Sequence, residues 1–202
     1  MNLKRLSAAT ATGVLTLGLA LGAPATANAA VKAGDVPSKG DIVKIFPELK
    51  GGEFTNVKAK KLEVPTAKCG TTKKISVKSS YSTAGNAVSE ARITVIGSGV
   101  AEFKSVAAAK SYFKAQKAMV KKCKSFTAHG VKVTLKSVKA PAVGQERLAT
   151  AETYSLMGGK SYGASVVIRH GKRVAVISVG DSKKPSSAKM NKIAKVAAKK
   201  MK

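Results

Sequence analysis

Two cysteines, two histidines and ten carboxylates are what this chain offers for covalent, metal or proton-transfer chemistry. Cys69 and Cys123 stand 54 residues apart and have no further thiol to work with. A redox pair or a thiolate metal site needs closer spacing or more ligands. In an oxidising compartment two cysteines of one domain pair with each other, so these two are expected to form a structural disulfide. His129 and His170 make no metal-binding pair at helical spacing. His170 falls in a turn sequence and His129 just ahead of an alternating, strand-like run. The carboxylates are scattered. An exported hydrolase would have to draw its acid pair from residues such as Glu90, Glu102, Glu146 and Glu152, and their spacing does not pair them. Gly97-Ser98-Gly99 lacks the lysine and serine of a phosphate loop. The expectation is a non-enzyme, with no catalytic residue, no metal site and no cofactor.

Charge is the sharper signal. The chain carries 37 Lys and Arg against 10 Asp and Glu, a formal net charge of +27. Nearly all of the excess is lysine, because Arg5, Arg92, Arg147, Arg169 and Arg173 are the whole arginine complement. Lysine is a hydrated point charge, whereas arginine gives planar, bidentate recognition of phosphates and bases. Aromatic residues make up 4 % and tryptophan is absent, so the stacking platforms of single-strand readers are missing too. This composition suits diffuse attraction to polyanions and excludes sequence-specific nucleic-acid reading.

The amino terminus indicates where these residues would work. Lys4 and Arg5 precede an apolar run from Ala11 to about Ala23, followed by Pro24 and Ala27-Asn28-Ala29. A basic start, a short apolar middle and an Ala-x-Ala end make a secretory signal peptide over residues 1–29. The run falls short of the roughly 20 residues of a membrane span. Cleavage is expected before Ala30. Losing Lys4 and Arg5 from a charge of +27 would leave +25. No second long apolar segment follows and no cysteine sits at the cleavage site. The expected product is a secreted monomer, free or associated with the cell wall, with no transmembrane segment.

The elements that must position these side chains follow from periodicity. Residues 30–37 are small and polar and read as a flexible leader, and 38–202 as a single domain. Asp41 to Phe46 makes a short helix stopped by Pro47, and Glu48 to Lys61, with Gly51-Gly52, reads as loop. Lys74 to Tyr81 alternates as a strand, and so does Ala91 to Phe103, with a bulge expected at Gly97-Ser98-Gly99. Ser105 suits the N-cap of a long helix reaching Lys124, with Val106, Ala109, Phe113, Val120 and Cys123 on its apolar face. Four strands follow, near 131–138, 147–157, 161–169 and 173–179, the last two joined by a tight turn at His170-Gly171-Lys172. Ser186 then opens a closing helix that buries Met190, Ile193, Ala197 and Met201. The plan is α+β: an antiparallel sheet of about five to seven strands with a long central helix and a C-terminal helix packed on it. Outside these faces run two lysine stripes, Lys110, Lys114, Lys117 and Lys121 on the long helix and Lys189, Lys192, Lys195 and Lys199 on the closing one. They would merge into one polyanion-binding surface if both helices lay on the same face of the sheet.

Two stretches carry a family likeness. Val100 to Phe103 runs straight into Ser105-Val106-Ala107-Ala108-Ala109, a Phe-x-Ser-x-x-x-Ala helix that ends in Cys123. The hairpin Val166 to Val179 is followed by a closing helix. Together they resemble the PknH-like extracellular sensor domains over roughly residues 38–202. The resemblance implies helices on an antiparallel sheet with a cleft for a small extracellular ligand. Some members of that family are fused to a kinase through a membrane span, and others are free exported proteins. This chain departs from the pattern in lacking a second cysteine pair on the late strands and a tryptophan near the helix end, where Met119 and Val120 stand. No ligand-contact motif is matched, so the ligand-binding residues stay unassigned. The functional expectation is a secreted, non-catalytic sensor-type domain holding a small or cell-envelope ligand. The competing expectation is a polyanion-binding surface protein that would attract wall polymers, anionic lipid head groups or nucleic acid without sequence preference.

Overall fold

Residues 166–179 set the architecture. Val166, Val167 and Ile168 are all buried, as are Val174 through Val179, so both faces of these two strands need covering. A continuous apolar run of this kind belongs to the middle of a sheet. The computed structural model describes residues 31–66, 68–89, 92–156 and 158–201. The signal-peptide expectation therefore lies outside the described residues.

Among the described residues eight strands form one antiparallel sheet: β1 Glu53–Pro65, β2 Thr72–Ser89, β3 Arg92–Glu102, β4 Ser125–Ala128, β5 Val131–Val138, β6 Glu146–Leu156, β7 Gly159–His170 and β8 Arg173–Asp181. Their spatial order is β1-β2-β3-β8-β7-β6-β5-β4. Three α-helices accompany them, α1 Lys39–Ile45, α2 Val106–Lys122 and α3 Ser187–Lys200, with short 3-10 turns at Ala33–Asp35 and Pro47–Leu49. The strand count exceeds the expected five to seven. Residues 53–61, expected as loop, are the outer strand β1, paired with β2 along its length. Its exposed lysines hid it: an edge strand with one wet face carries a weak apolar pattern, and edge lysines also block pairing with other chains. The four-residue β4 was likewise too short to show a period.

Gly97-Ser98-Gly99 is no bulge. It pairs in regular register with Ala84, Thr83 and Ser82 on one side and with Ser178, Ile177 and Val176 on the other. The irregularity falls instead between Ala59 and Lys61, where β1 changes register against β2. Such irregularities bend a strand and increase its twist. Here the outer half of the β1–β2 hairpin turns toward α2.

The helices sort onto opposite faces. Val166 and Ile168 of β7, with Ala175, Ile177 and Val179 of β8, pack with Ile42 of α1 and with Met190, Ile193 and Ala197 of α3. The intervening Val167, Val174 and Val176 pack with Ala109, Tyr112 and Phe113 of α2. The layers are thus α1 and α3, sheet, α2. Local signals place the helix starts. Ser105 accepts from the Ala108 amide at 3.1 Å. Ser186 accepts from the Lys189 amide at 3.4 Å. Ser38 and Asp41 exchange bonds as a capping box. Val106, expected on the buried face of α2, is exposed, because its position in the first turn lies beyond the edge of the contact.

Residues 31–37 are not a loose leader. Val31 and Val36 are each 1 % exposed within the α1–α3 core, and the Val31 amide donates to Ser79 Oγ at 3.0 Å. Two isolated valines among small residues give no periodic signal, so only their packing reveals them.

Beside the α1–α3 core, Arg92 Nη2 lies 2.6 Å from Asp181 Oδ2 and 3.1 Å from Glu48 Oε1, and Lys189 Nζ lies 2.8 Å from Glu48 Oε2. This network joins β3, β8, α3 and the turn after α1. Burial pushes the Asp181 carboxyl up, but Arg92, the Lys183 amide and the Thr94 hydroxyl outweigh it and hold the group below its usual 3.8. A carboxyl depressed on folding stabilises fully above its unfolded value, and the contribution is lost as pH falls through the folded value. Stability should therefore hold from neutrality down to about pH 4 and decline below it. Asp181→Asn should cost about 2 kcal/mol at pH 7 and flatten the acid decline, as measured by thermal melts across pH.

Candidate functional site

Cys69 sits in the β1–β2 turn, and Cys123 caps the C-terminal end of α2. The two are joined, with Cα atoms 5.4 Å apart. The expected disulfide thus ties the hairpin tip to the helix end. Beside it Gly70 has φ +80, and a Cβ there would stand 3.2 Å from the Phe126 ring and 3.3 Å from Ala128 Cβ. A left-handed turn pressed against β4 leaves room for glycine alone. The tip of the β1–β2 hairpin thereby meets β4, so the first and last strands of the sheet approach each other around α2.

A cavity of about 180 Å3 opens between them. The hairpin contributes Glu63, Pro65 and residues 70–72, and α2 contributes Met119. β4 to β6 contribute Phe126, Val133, Leu135, Glu152 and Tyr154 among others, with His129 at the β4–β5 turn. Alternation on β5 turns Val131, Val133 and Leu135 to this side, as the period-two pattern expects. His129 has φ 50 and Gly130 φ 78, the two left-handed residues of a tight type I′ hairpin, so His129 owes its place to the turn.

Glu152 is the unusual group. It is 3 % exposed, and among the described residues no cation lies within ion-pair distance. It is held by hydroxyls instead. Thr150 and Ser165 each donate to Oε1 at 3.0 Å, and the Tyr154 phenol donates to Oε2. Burial, the adjacent carboxylate and that hydrogen bond all push the Tyr154 phenol up, so it stays a donor. Gly163 faces Glu152 across β6–β7. A Cβ at Gly163 would stand 3.0 Å from Glu152 Oε2 and from the Tyr154 hydroxyl. At the other wall the Thr72 hydroxyl donates to Glu63 Oε2 at 3.0 Å. Among the described residues no lysine or arginine lines the cavity.

The remaining carboxylates singled out for a hydrolase do not join Glu152. Glu102 is surrounded by Lys172 at 2.9 Å, Lys78 at 3.1 Å and Arg173 at 3.3 Å. Burial raises the Glu102 carboxyl, but Lys172 and Lys78 outweigh it and lower it overall. Glu146 is bonded by Arg169 and approached by Lys117 at 3.9 Å. Glu90 lies outside the described residues. Gly159 to Gly163 has the Gly-x-Ser-x-Gly spelling of a nucleophile elbow, but Ser161 sits within β7 opposite Tyr154, where no strand-to-helix turn presents it. His170 is exposed at the β7–β8 turn. Among the described residues no three His, Cys, Asp or Glu side chains gather as a metal set. A second, more open depression of about 620 Å3 is lined by Glu48, Asn86 and Arg92 among others. Its Glu48 and Arg92 are paired with each other at 3.1 Å.

The lysine stripes part company. Lys110, Lys114, Lys117 and Lys121 are exposed on the α2 side, while Lys192, Lys195 and Lys199 are exposed on the α3 side. Lys189 is held by Glu48 over the Phe46 ring. With α2 and α3 on opposite faces of the sheet, the stripes do not merge into one surface.

A curled antiparallel sheet with helices on both faces is an α+β architecture. No family model matches this sequence, and no curated protein matches it. The fold is similar to the crystal structure of the extracellular domain of PknH from Mycobacterium tuberculosis. The TM-score is 0.57 at 9 % identity, over 84 % of this chain and 92 % of that one. A putative uncharacterized protein (Rv0999 ortholog) from Mycobacterium smegmatis also aligns, at 12 % identity over 79 % of this chain and 97 % of that one, with a TM-score of 0.40. The chain thus shares the fold of the PknH extracellular domain.

Replacing Cys69 and Cys123 together by serine reopens a loop of 54 residues. In the chain-entropy model this removes about 4 kcal/mol. Urea unfolding of the double variant should show a loss of that size, and non-reducing peptide mapping of the native protein should recover the Cys69–Cys123 pair.

Proposed function

We propose that this protein is an exported, non-catalytic sensor-type domain that holds a small ligand in the cavity between the β1–β2 hairpin tip and β4–β6. The observation that carries this reading is the cavity itself, with apolar walls, a buried carboxylate in its lining that no cation pairs among the described residues and a disulfide beside it. Pockets of this type, mostly apolar with a few placed polar groups, are the usual form of small-molecule sites. The likeness to an extracellular domain supports an extracellular setting, and so does the cysteine pair. Among the described residues no helix is long and apolar enough to cross a membrane. Cleavage before Ala30 accords with the fold, because Val31, the next residue, is already anchored on Ser79.

Native mass spectrometry of the protein purified from its own culture medium tests this reading. A discrete added mass that is lost on denaturation is the expected result, on a chain running from Ala30 to Lys202 less two hydrogens. An enzymatic activity abolished by one point substitution would overturn it.

A second reading, polyanion binding, is favoured by the exposure of the four α2 lysines on a chain of net charge +27. It predicts that Lys114→Glu with Lys117→Glu weakens binding to an anionic polymer, and that the wild-type binding itself falls steeply with added salt. Binding indifferent to salt would remove it.

A further inference from the structure

The cavity runs against the charge of the whole molecule. The chain carries 37 lysines and arginines and 10 carboxylates, yet among the described residues the cavity is lined by two of the carboxylates and by no lysine or arginine. Six of the other carboxylates, Asp35, Asp41, Glu48, Glu102, Glu146 and Asp181, are ion-paired. Glu152 is more deeply buried than most of these and has only neutral hydroxyls around it. Burying a carboxylate is costly unless hydrogen bonds or a counter-charge compensate it. Three hydroxyl donors supply the first kind of compensation, and the second is left for whatever enters the cavity.

Resting on the reading of this cavity as the ligand site, we propose that its ligand is a small amphipathic cation: an apolar body against Met119, Phe126, Val133 and Leu135, with a protonated amine directed at Glu152. Size sets the body. An apolar cavity of about 150 Å3 accepts benzene, so about 180 Å3 holds a ring and a short aminoalkyl arm. An anionic ligand would meet Glu152 and Glu63 with no lysine or arginine among the described lining residues. A neutral apolar ligand would cover Glu152 and leave its charge without a partner. A metal ion lacks a ligand set, as Glu63, Glu152 and His129 do not gather as one. The remote field of a chain this basic repels cations. A preference for the amine must therefore come from the cavity.

Isothermal titration of the disulfide-bonded mature chain at pH 7 with benzylamine, benzyl alcohol and benzoate tests the assignment. These probes share a ring and differ in charge. Benzylamine is expected to bind at least tenfold more tightly than benzyl alcohol, with benzoate silent. Glu152→Gln should reduce the amine to the level of the alcohol, and Ala128→Trp, which puts an indole in place of a methyl group in the cavity lining, should abolish both. Benzyl alcohol or benzoate binding as well as the amine would overturn the cation assignment and leave the cavity as a ligand site. Amine binding that survives Ala128→Trp would overturn it by placing the amine elsewhere. Silence from all three probes would overturn both the assignment and the cavity reading. If Glu152→Gln does not fold, the wild-type ratio of amine to alcohol, with Ala128→Trp, decides the question without it.

Discussion

The two-sided burial of β7 and β8 is the constraint on which the rest of the molecule depends. A strand pair apolar on both faces cannot face water on either, so one helix layer is insufficient. The chain meets this by sending α2 across one face after β3 and bringing α1 and α3 together on the other. Everything functional is a consequence. Placing α2 on the concave face obliges the sheet to curl around it, and the curl brings the β1–β2 hairpin tip to β4. The remaining gap, beyond the last buried turn of α2, is the cavity. Sorting the helices onto opposite faces also separates the two lysine stripes.

Charge is distributed with the same logic. Acidic side chains are scarce here, and most are used to anchor elements to one another. Glu48 and Asp181 gather Arg92 and Lys189 from different elements, while Glu102 gathers Lys78, Lys172 and Arg173. Three of the four arginines beyond residue 29 are committed to such pairs, and arginine suits that duty because its planar fork can hold two acceptors at once. Most of the remaining lysines face solvent. Against this pattern Glu152 stands apart, since its partners are hydroxyls and its position is the wall of a cavity.

The disulfide and Gly70 work at one place from two directions. The bond tethers the hairpin tip to α2, and the glycine lets the same tip lie against Phe126 and Ala128. The fold of the PknH extracellular domain is thus reached here with the rim of the cavity fixed by this one cysteine pair.

Periodicity alone determined a good deal about this protein. The long helix capped by Ser105, the closing helix capped by Ser186, the alternating strands from residue 131 onward and the disulfide were all readable. Each rests on contacts within a few residues or on composition. Even the PknH-like fold was legible, because its motifs are a local strand-to-helix junction and a local hairpin. Tertiary structure decided what depends on residues distant in sequence. The lysine-rich edge strand β1 exists because β2 pairs with it, and Val31 and Val36 are core because α3 returns over them. The register change at Ala59 falls where the hairpin must bend, while Gly97 and Gly99 stay regular between two partner strands. Glu152 looks like any strand carboxylate in sequence. Its significance comes from the strands that bury it, the hydroxyls that converge on it and the lack of any cation beside it. A linear pattern records which residues alternate, but which faces meet, and which charges are left unpaired when they do, is fixed only when the sheet closes around the helix.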